Sequence, residues 1–170
     1  MQATTTGRSP SEGVADLSVS GTRVVGAVVL VNRAGEVLMQ LRDDRADISD
    51  PGLWVVPGGG AAQGESAEQA ARREFQEETG YRLGQLAPLL TDARALPDGT
   101  LELRHFFMAR YDGRKPLHCY EGQELRFMGD IDFAALPPQS LAPRMRQIVL
   151  KAQQQIAGSD STGKEEAPQS

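Results

Sequence analysis

The chain is expected to fold as an α/β sandwich built around a mixed β-sheet. Apolar, β-branched runs stand both before and after one central stretch of helical spacing, and a second helical stretch follows them. The 170 residues, 39% of them hydrophobic, suffice for one domain with a proper core and are too few for two. No repeat or linker interrupts the sequence. One domain over residues 21–156 is therefore expected, between tails at 1–20 and 157–170 rich in Ser, Thr, Gly, Glu and Pro.

In chain order, RVVGAVVLV (23–31) is a near-continuous β-branched run, the pattern of a strand buried on both faces. Asn32-Arg33-Ala34-Gly35 is a turn, and residues 36–41 return as a second strand. A polar loop over 43–52 ends at Pro51-Gly52, and a short strand at 53–56 feeds the turn Pro57-Gly58-Gly59-Gly60. The central helix opens at Ser66, whose partner three residues on, Gln69, completes a capping-box pattern, and Gly80 is placed to end it. Strands are expected at 83–93 and 101–110, joined by a turn at Pro97-Asp98-Gly99, with Leu101, Leu103, His105, Phe107 and Ala109 on one face. A short strand at 125–128 and a helix at 141–156 complete the reading, with Arg144 and Arg146 of that helix facing solvent.

The chemistry concentrates in the central helix. At about 100° per residue, Glu68, Gln69, Arg72, Arg73, Gln76 and Thr79 form a polar face, while Ala67, Ala70, Ala71 and Phe75 point inward. Glu74, Glu77 and Glu78 fall on the inward side with the alanines. Three neighbouring carboxylates repel one another when buried, and a polyvalent cation relieves that conflict. Hard oxygen donors in such a cluster suit Mg²⁺ or Mn²⁺.

From Gly59 to Tyr81 the sequence runs Gly59, five residues, Glu65, seven residues, then Arg73-Glu74-Phe75-Gln76-Glu77-Glu78-Thr79-Gly80-Tyr81. This resembles the Nudix box of the Nudix hydrolases, G-x5-E-x7-R-E-U-x-E-E-x-G-U, with aromatics at both bulky apolar positions. The lead-in Gly52-Leu53-Trp54-Val55-Val56-Pro57-Gly58-Gly59 is similar too. The resemblance implies a Nudix α/β/α sandwich around a mixed sheet. It further implies water attack on the pyrophosphate bond of a nucleoside diphosphate linked to another moiety (a nucleotide sugar, ADP-ribose or a (d)NTP).

The same resemblance implies Mg²⁺ or Mn²⁺ as cofactor, with Glu77 and Glu78 as ligands, Glu74 as ligand or proton acceptor, and the carbonyl of Gly58 as a further ligand. It makes Glu65 and Arg73 a structural pair and leaves Gly59 and Gly80 structural. Glu121-Gly122-Gln123 is similar to a segment of MutT-type members in which a glutamate outside the box approaches the metal and takes part in catalysis, which adds Glu121 to both sets. Arg42 stands where that subgroup has a phosphate-contacting arginine. MutT-like members that clear 8-oxo-dGTP read the oxidised base with an asparagine near the C-terminal end; Ser140 stands at that position here, beside Gln139. Pro97 stands near the position of the proline that marks ADP-ribose pyrophosphatases, but a Pro-Asp-Gly turn accounts for it.

Other features narrow the reading by exclusion. A net charge of −5 argues against sequence-independent nucleic-acid binding. A single cysteine, Cys119, excludes an internal disulfide and a cysteine-rich zinc site, and His118-Cys119 lacks partners at metal spacing. No run nears the roughly 18 apolar residues of a membrane span, and no apolar signal segment opens the chain. A cytoplasmic protein, monomer or homodimer, acting on a small nucleotide is expected. Trp54 reads as a packing residue and His105 as a satisfied histidine on an apolar strand face. Two other readings are a catalytically silent nucleotide sensor and an isomerase of prenyl diphosphates. Sensors usually lose box glutamates, which this chain keeps, and the isomerase would have to rely on Cys119 alone.

Overall fold

A strand buried on both faces needs a layer on each side, and the β-branched run supplies that strand. In the computed structural model, which describes residues 21–162, β1 (Gly21–Val31) is the middle of the sheet. Its alternate residues enter two separate cores: Ala27, Val29 and Val31 one, Val28 and Leu30 the other. The remaining strands are β2 (Val37–Leu41), β3 (Trp54–Val55), β4 (Gly58–Gly60), β5 (Ala87–Ala95), β6 (Thr100–Arg110) and β7 (Glu124–Met128). Their path is β3-β2-β1-β6-β5, with β4 paired to β1 and β7 to β2. β1 and β6 are parallel from Gly21↔Thr100 to Val31↔Arg110, while the other pairings are antiparallel, so the sheet is mixed as expected.

Helix α1 (Ala67–Thr79) covers one face, packing Ala71 and Phe75 on Val28, Leu30, Leu38 and Phe107. Its start is the expected capping box: Ser66 Oγ accepts from Gln69 N (3.2 Å), and Gln69 Oε1 accepts from Ser66 N (2.8 Å). Its end is Gly80, left-handed at φ 69°, whose N–H donates to Gln76 O. A short α2 (Asp130–Ala135) follows β7, and α3 (Met145–Thr162) covers the other face, burying Ile148, Val149, Ala152 and Ile156.

The differences from expectation have local causes. The glycine stretch read as a turn is β4, because three residues without side chains slide beside β1 at Val25, Gly26 and Ala27. The last helix starts four residues later than expected: α3 begins at Met145, since Ala142, followed by Pro143, donates its N–H to Trp54 O (3.1 Å) instead of entering a helix. At the other end α3 runs on through 157–162, a stretch expected to be tail. β5 starts at Ala87, four residues later than expected, and α2 was not legible as an element. The expected tail at 1–20, and residues 163–170 of the one at 157–170, lie outside the described residues. Among the described residues no helix is long and apolar enough to cross a membrane. Trp54 packs in the α3-side core as expected, under the Arg126 guanidinium (5.1 Å to the ring centre).

Candidate active site

The site forms where the glycine strand passes beneath α1. The Gly58 N–H donates to Glu78 Oε2 (3.0 Å). The Glu74 carboxylate lies over Gly59 so closely that a Cβ there would stand 2.3 Å from its Cδ. Glu74 and Glu78 are one turn apart, so both rest on the same loop. Arg73 ties that loop to the helix, donating to both oxygens of Glu65 (3.0 and 2.8 Å) and to Gly60 O (2.9 Å). The expected Glu65–Arg73 pair is therefore present and bidentate. The Arg73 hydrogen bonds, followed by the Ala62 N–H, hold the Glu65 carboxyl down at about 2. Arg73 also reaches Glu74 (2.7 Å) and Glu77 (3.2 Å).

Two wheel assignments need correction. Glu77 is exposed rather than inward, because it stands about 120° from the centre of the buried stripe. Thr79, placed on the polar face, is fully buried and donates to Phe75 O (2.6 Å). The loop at 118–121 covers it: the N–H groups of His118 and Tyr120 donate to the carbonyls of Thr79 and Glu78 (3.0 and 2.9 Å).

That loop gives Glu-Gly-Gln a mechanical meaning. On its far side Gln123 donates from its backbone to Leu41 O (2.8 Å) and from its side chain to Arg42 O (2.7 Å). Gln40 donates to Glu121 O (3.0 Å), and Gly122 sits at φ 83° with no room for a Cβ beside Leu41 O. The segment is thus stitched to the end of α1 on one side and to β2 on the other, which brings Glu121 beside Glu78. Glu78 itself is 4% exposed. Burial, with the charges of Glu74 and Glu121, pushes its carboxyl up to about 8 against the opposing pull of the Gly58 N–H and Arg42.

Arg42 joins this carboxylate end to a cleft of about 570 Å³. The cleft is bordered by Gly58 and Gly59, floored by Val25, Ala27, Val55, Val56, Phe106 and Met145, and carries Arg23, Arg94 and Arg104. Buried within it, Glu102 accepts from Arg94 Nε (2.8 Å) and faces Arg23 (3.7 Å); Arg94 also donates to Asp50 (3.0 Å). Asp92, equally buried, accepts from both Arg104 and Arg144. Arg144, which precedes α3 at φ 66°, and Arg146, which donates to Phe133 O (2.7 Å), are both exposed as expected, each with a protein partner as well.

The cleft residues were missed from the sequence, although a signal existed. Asp92 pairs with Arg104 and Arg94 with Glu102 across the β5–β6 hairpin, so opposite charges sit at matched distances from the Pro97-Asp98-Gly99 turn. His105 is a half-buried partner of Thr91 (3.2 Å) rather than a core residue. Cys119 is exposed and donates to Glu121 O (3.2 Å).

Among the described residues no three His, Cys, Asp or Glu side chains stand arranged to hold a metal ion. Glu74 and Glu77 are turned to Arg73, and Glu78 to Gly58. The donor chemistry nevertheless fits a hard divalent cation: the buried Glu78 carboxylate stands beside Glu74 and Glu121, with the Gly58 N–H and Arg42 acting against that burial and repulsion.

A family model of the NUDIX domain matches residues 21–152. The chain is 34% identical over 136 residues to an RNA pyrophosphohydrolase of Erythrobacter litoralis, covering 75% of this chain and 77% of that protein. It is 38% identical over 61 residues to the nucleoside triphosphatase NudI of Enterobacter sp., covering 36% of this chain and 42% of that one. Among solved structures, a MutT NUDIX hydrolase from Burkholderia pseudomallei superposes with a TM-score of 0.63 at 23% identity, over 76% of this chain and 97% of that one.

Proposed function

The chain belongs to the NUDIX family as a hydrolase of pyrophosphate bonds, and we propose that it is cation-dependent and acts on the phosphoanhydride of a nucleoside di- or triphosphate compound. One observation carries this reading: Glu74, Glu78 and Glu121 converge at one end of an arginine-bearing cleft, with Arg42 at the junction. Two relatives named for pyrophosphohydrolase and triphosphatase activity support the substrate class.

Glu78, Glu74, Glu121 and the Gly58 carbonyl would hold the cation, with Glu77 joining from the exposed edge. When bound, a divalent cation supplies phosphate charge neutralisation and a water of lowered pKa. The chain's own residues do the rest. Arg42, whose Nε has no partner, donates to a phosphate oxygen and orients the anhydride. Arg73 keeps Glu74 over Gly59 and the box loop against α1. Glu121, exposed at the mouth, accepts the proton of the attacking water. The apolar floor of the cleft takes the nucleoside, and the Arg23, Arg94 and Arg104 group its polar edges.

The test is product release from a panel of NTPs, dNTPs, 5′-triphosphate RNA, dinucleoside polyphosphates, ADP-ribose and nucleotide sugars. Each is run with Mg²⁺, Mn²⁺ or EDTA, beside Glu78→Gln. Turnover of a triphosphate substrate that disappears with EDTA and with the variant is the expected result. Tight nucleotide binding without turnover of any compound would replace the hydrolase reading with that of a sensor.

A further inference from the structure

Gln40 has a polar atom that the hydrolase reading does not use. On β2, Leu38 packs with Ala71 and Phe75 of α1, so strand alternation turns Gln40 and Arg42 toward the C-terminal half of the same helix, where Glu78 lies. Gln40 is 2% exposed. Its Nε2 donates to the Glu121 carbonyl (3.0 Å), which fixes the amide's orientation because only the nitrogen can donate there. Oε1 is then left buried with no hydrogen-bond partner. Native interiors rarely leave such an oxygen unpaired.

The hollow that Gln40 borders, about 390 Å³, is lined also by Glu78, Glu121, Arg42 and Asp43. Three carboxylates stand there against two lining arginines: Arg42, which faces the cleft as well, and Arg45, which is engaged by Asp47 (2.6 Å). Oε1 exposes almost no surface to water, and a bare divalent ion is smaller than a water molecule and sits only about 2.0–2.6 Å from its oxygen ligands. Hard cations take amide oxygens alongside carboxylates. We propose that Oε1 of Gln40 is a ligand of a divalent cation held between Glu78 and Glu121. The same side chain thereby serves both ends of the site, its nitrogen anchoring the Glu121 loop and its oxygen meeting the ion. The proposal rests on the cation-dependent reading above and adds to it a ligand from outside the box.

Mn²⁺ titration of the full chain, followed by loss of the free-ion EPR signal, tests it without reference to turnover. Wild type is compared with Gln40→Glu, Gln40→Leu, Gln123→Ala and Glu78→Gln, each checked for native circular dichroism. Gln40→Glu keeps an oxygen toward the ion and adds charge, so it binds Mn²⁺ as tightly as wild type or tighter. Gln40→Leu removes that oxygen and weakens binding by roughly tenfold. Gln123→Ala loosens the same loop and weakens binding less. If Gln40→Glu weakens binding as much as Gln40→Leu does, Gln40 acts only through its nitrogen and the proposal is overturned. It is equally overturned if both bind like wild type while Glu78→Gln does not. Failure of wild type to bind Mn²⁺ at all would overturn the cation reading itself.

Discussion

Burial holds the Glu78 carboxyl at about 8, above the 4.5 of an unfolded chain. The folded state therefore binds more protons between those two values, and stability contributed by the neutral form is complete below about 4.5 and lost as pH rises through about 8. Thermal melts of metal-free protein between pH 5 and 9 should fall across that window, and Glu78→Gln should flatten the slope and melt higher at the alkaline end. A slope unchanged in the variant would contradict the burial argument. Arg73→Ala strips Glu65, Gly60, Glu74 and Glu77 of a shared donor. Partial exposure screens it, so urea melts should show a loss of about 1–2 kcal/mol. Ser66, Gln69 and Gly80 were legible from sequence because each acts within a few residues of its partner, whereas the Glu65–Arg73 pair, eight residues apart, followed only from the resemblance to the box. Glu77 was misplaced because an edge position on a helix wheel does not say which neighbour covers it.

At the scale of elements, glycine sets how close α1 can lie to the sheet. A Cβ on Gly26 would stand 1.9 Å from Ala67 O, backbone that cannot swing away. Gly26→Ala should destabilise the fold by about 3 kcal/mol or more in a denaturant melt. At Gly59 the obstructing atoms belong to the Glu74 side chain, which can move. Gly59→Ala should therefore leave the melting temperature nearly unchanged while weakening Mn²⁺ binding, and a melting loss like that of Gly26→Ala would refute this distinction. Element identity followed from pattern wherever an apolar run or a cap was strong, as in β1, β6 and α1. β4 has no side chains to form a pattern, and α2 spans too few residues for periodicity to register.

Over the whole molecule, the face of β6 carrying Glu102, Arg104 and Phe106 is the one that makes the cleft. Alternation alone did not single out those charges, because a sequence does not reveal that β5 and the residue before α3 bring counter-charges to meet them. Asp92 binds Arg104 and Arg144 together, linking β5, β6 and the residue before α3. Asp92→Ala leaves a buried arginine unpaired and should cost about 3 kcal/mol, nearly independent of salt, in melts at low and high ionic strength. A loss that fades with added salt would place the pair at the surface instead.

The measurement closest to the central claim is turnover of a nucleoside triphosphate panel with Mg²⁺, Mn²⁺ or EDTA, in wild type and Glu78→Gln. Hydrolysis that needs the cation and the Glu78 carboxylate, with the variant folded, is the predicted result. Undiminished hydrolysis in EDTA or by the folded variant would contradict it.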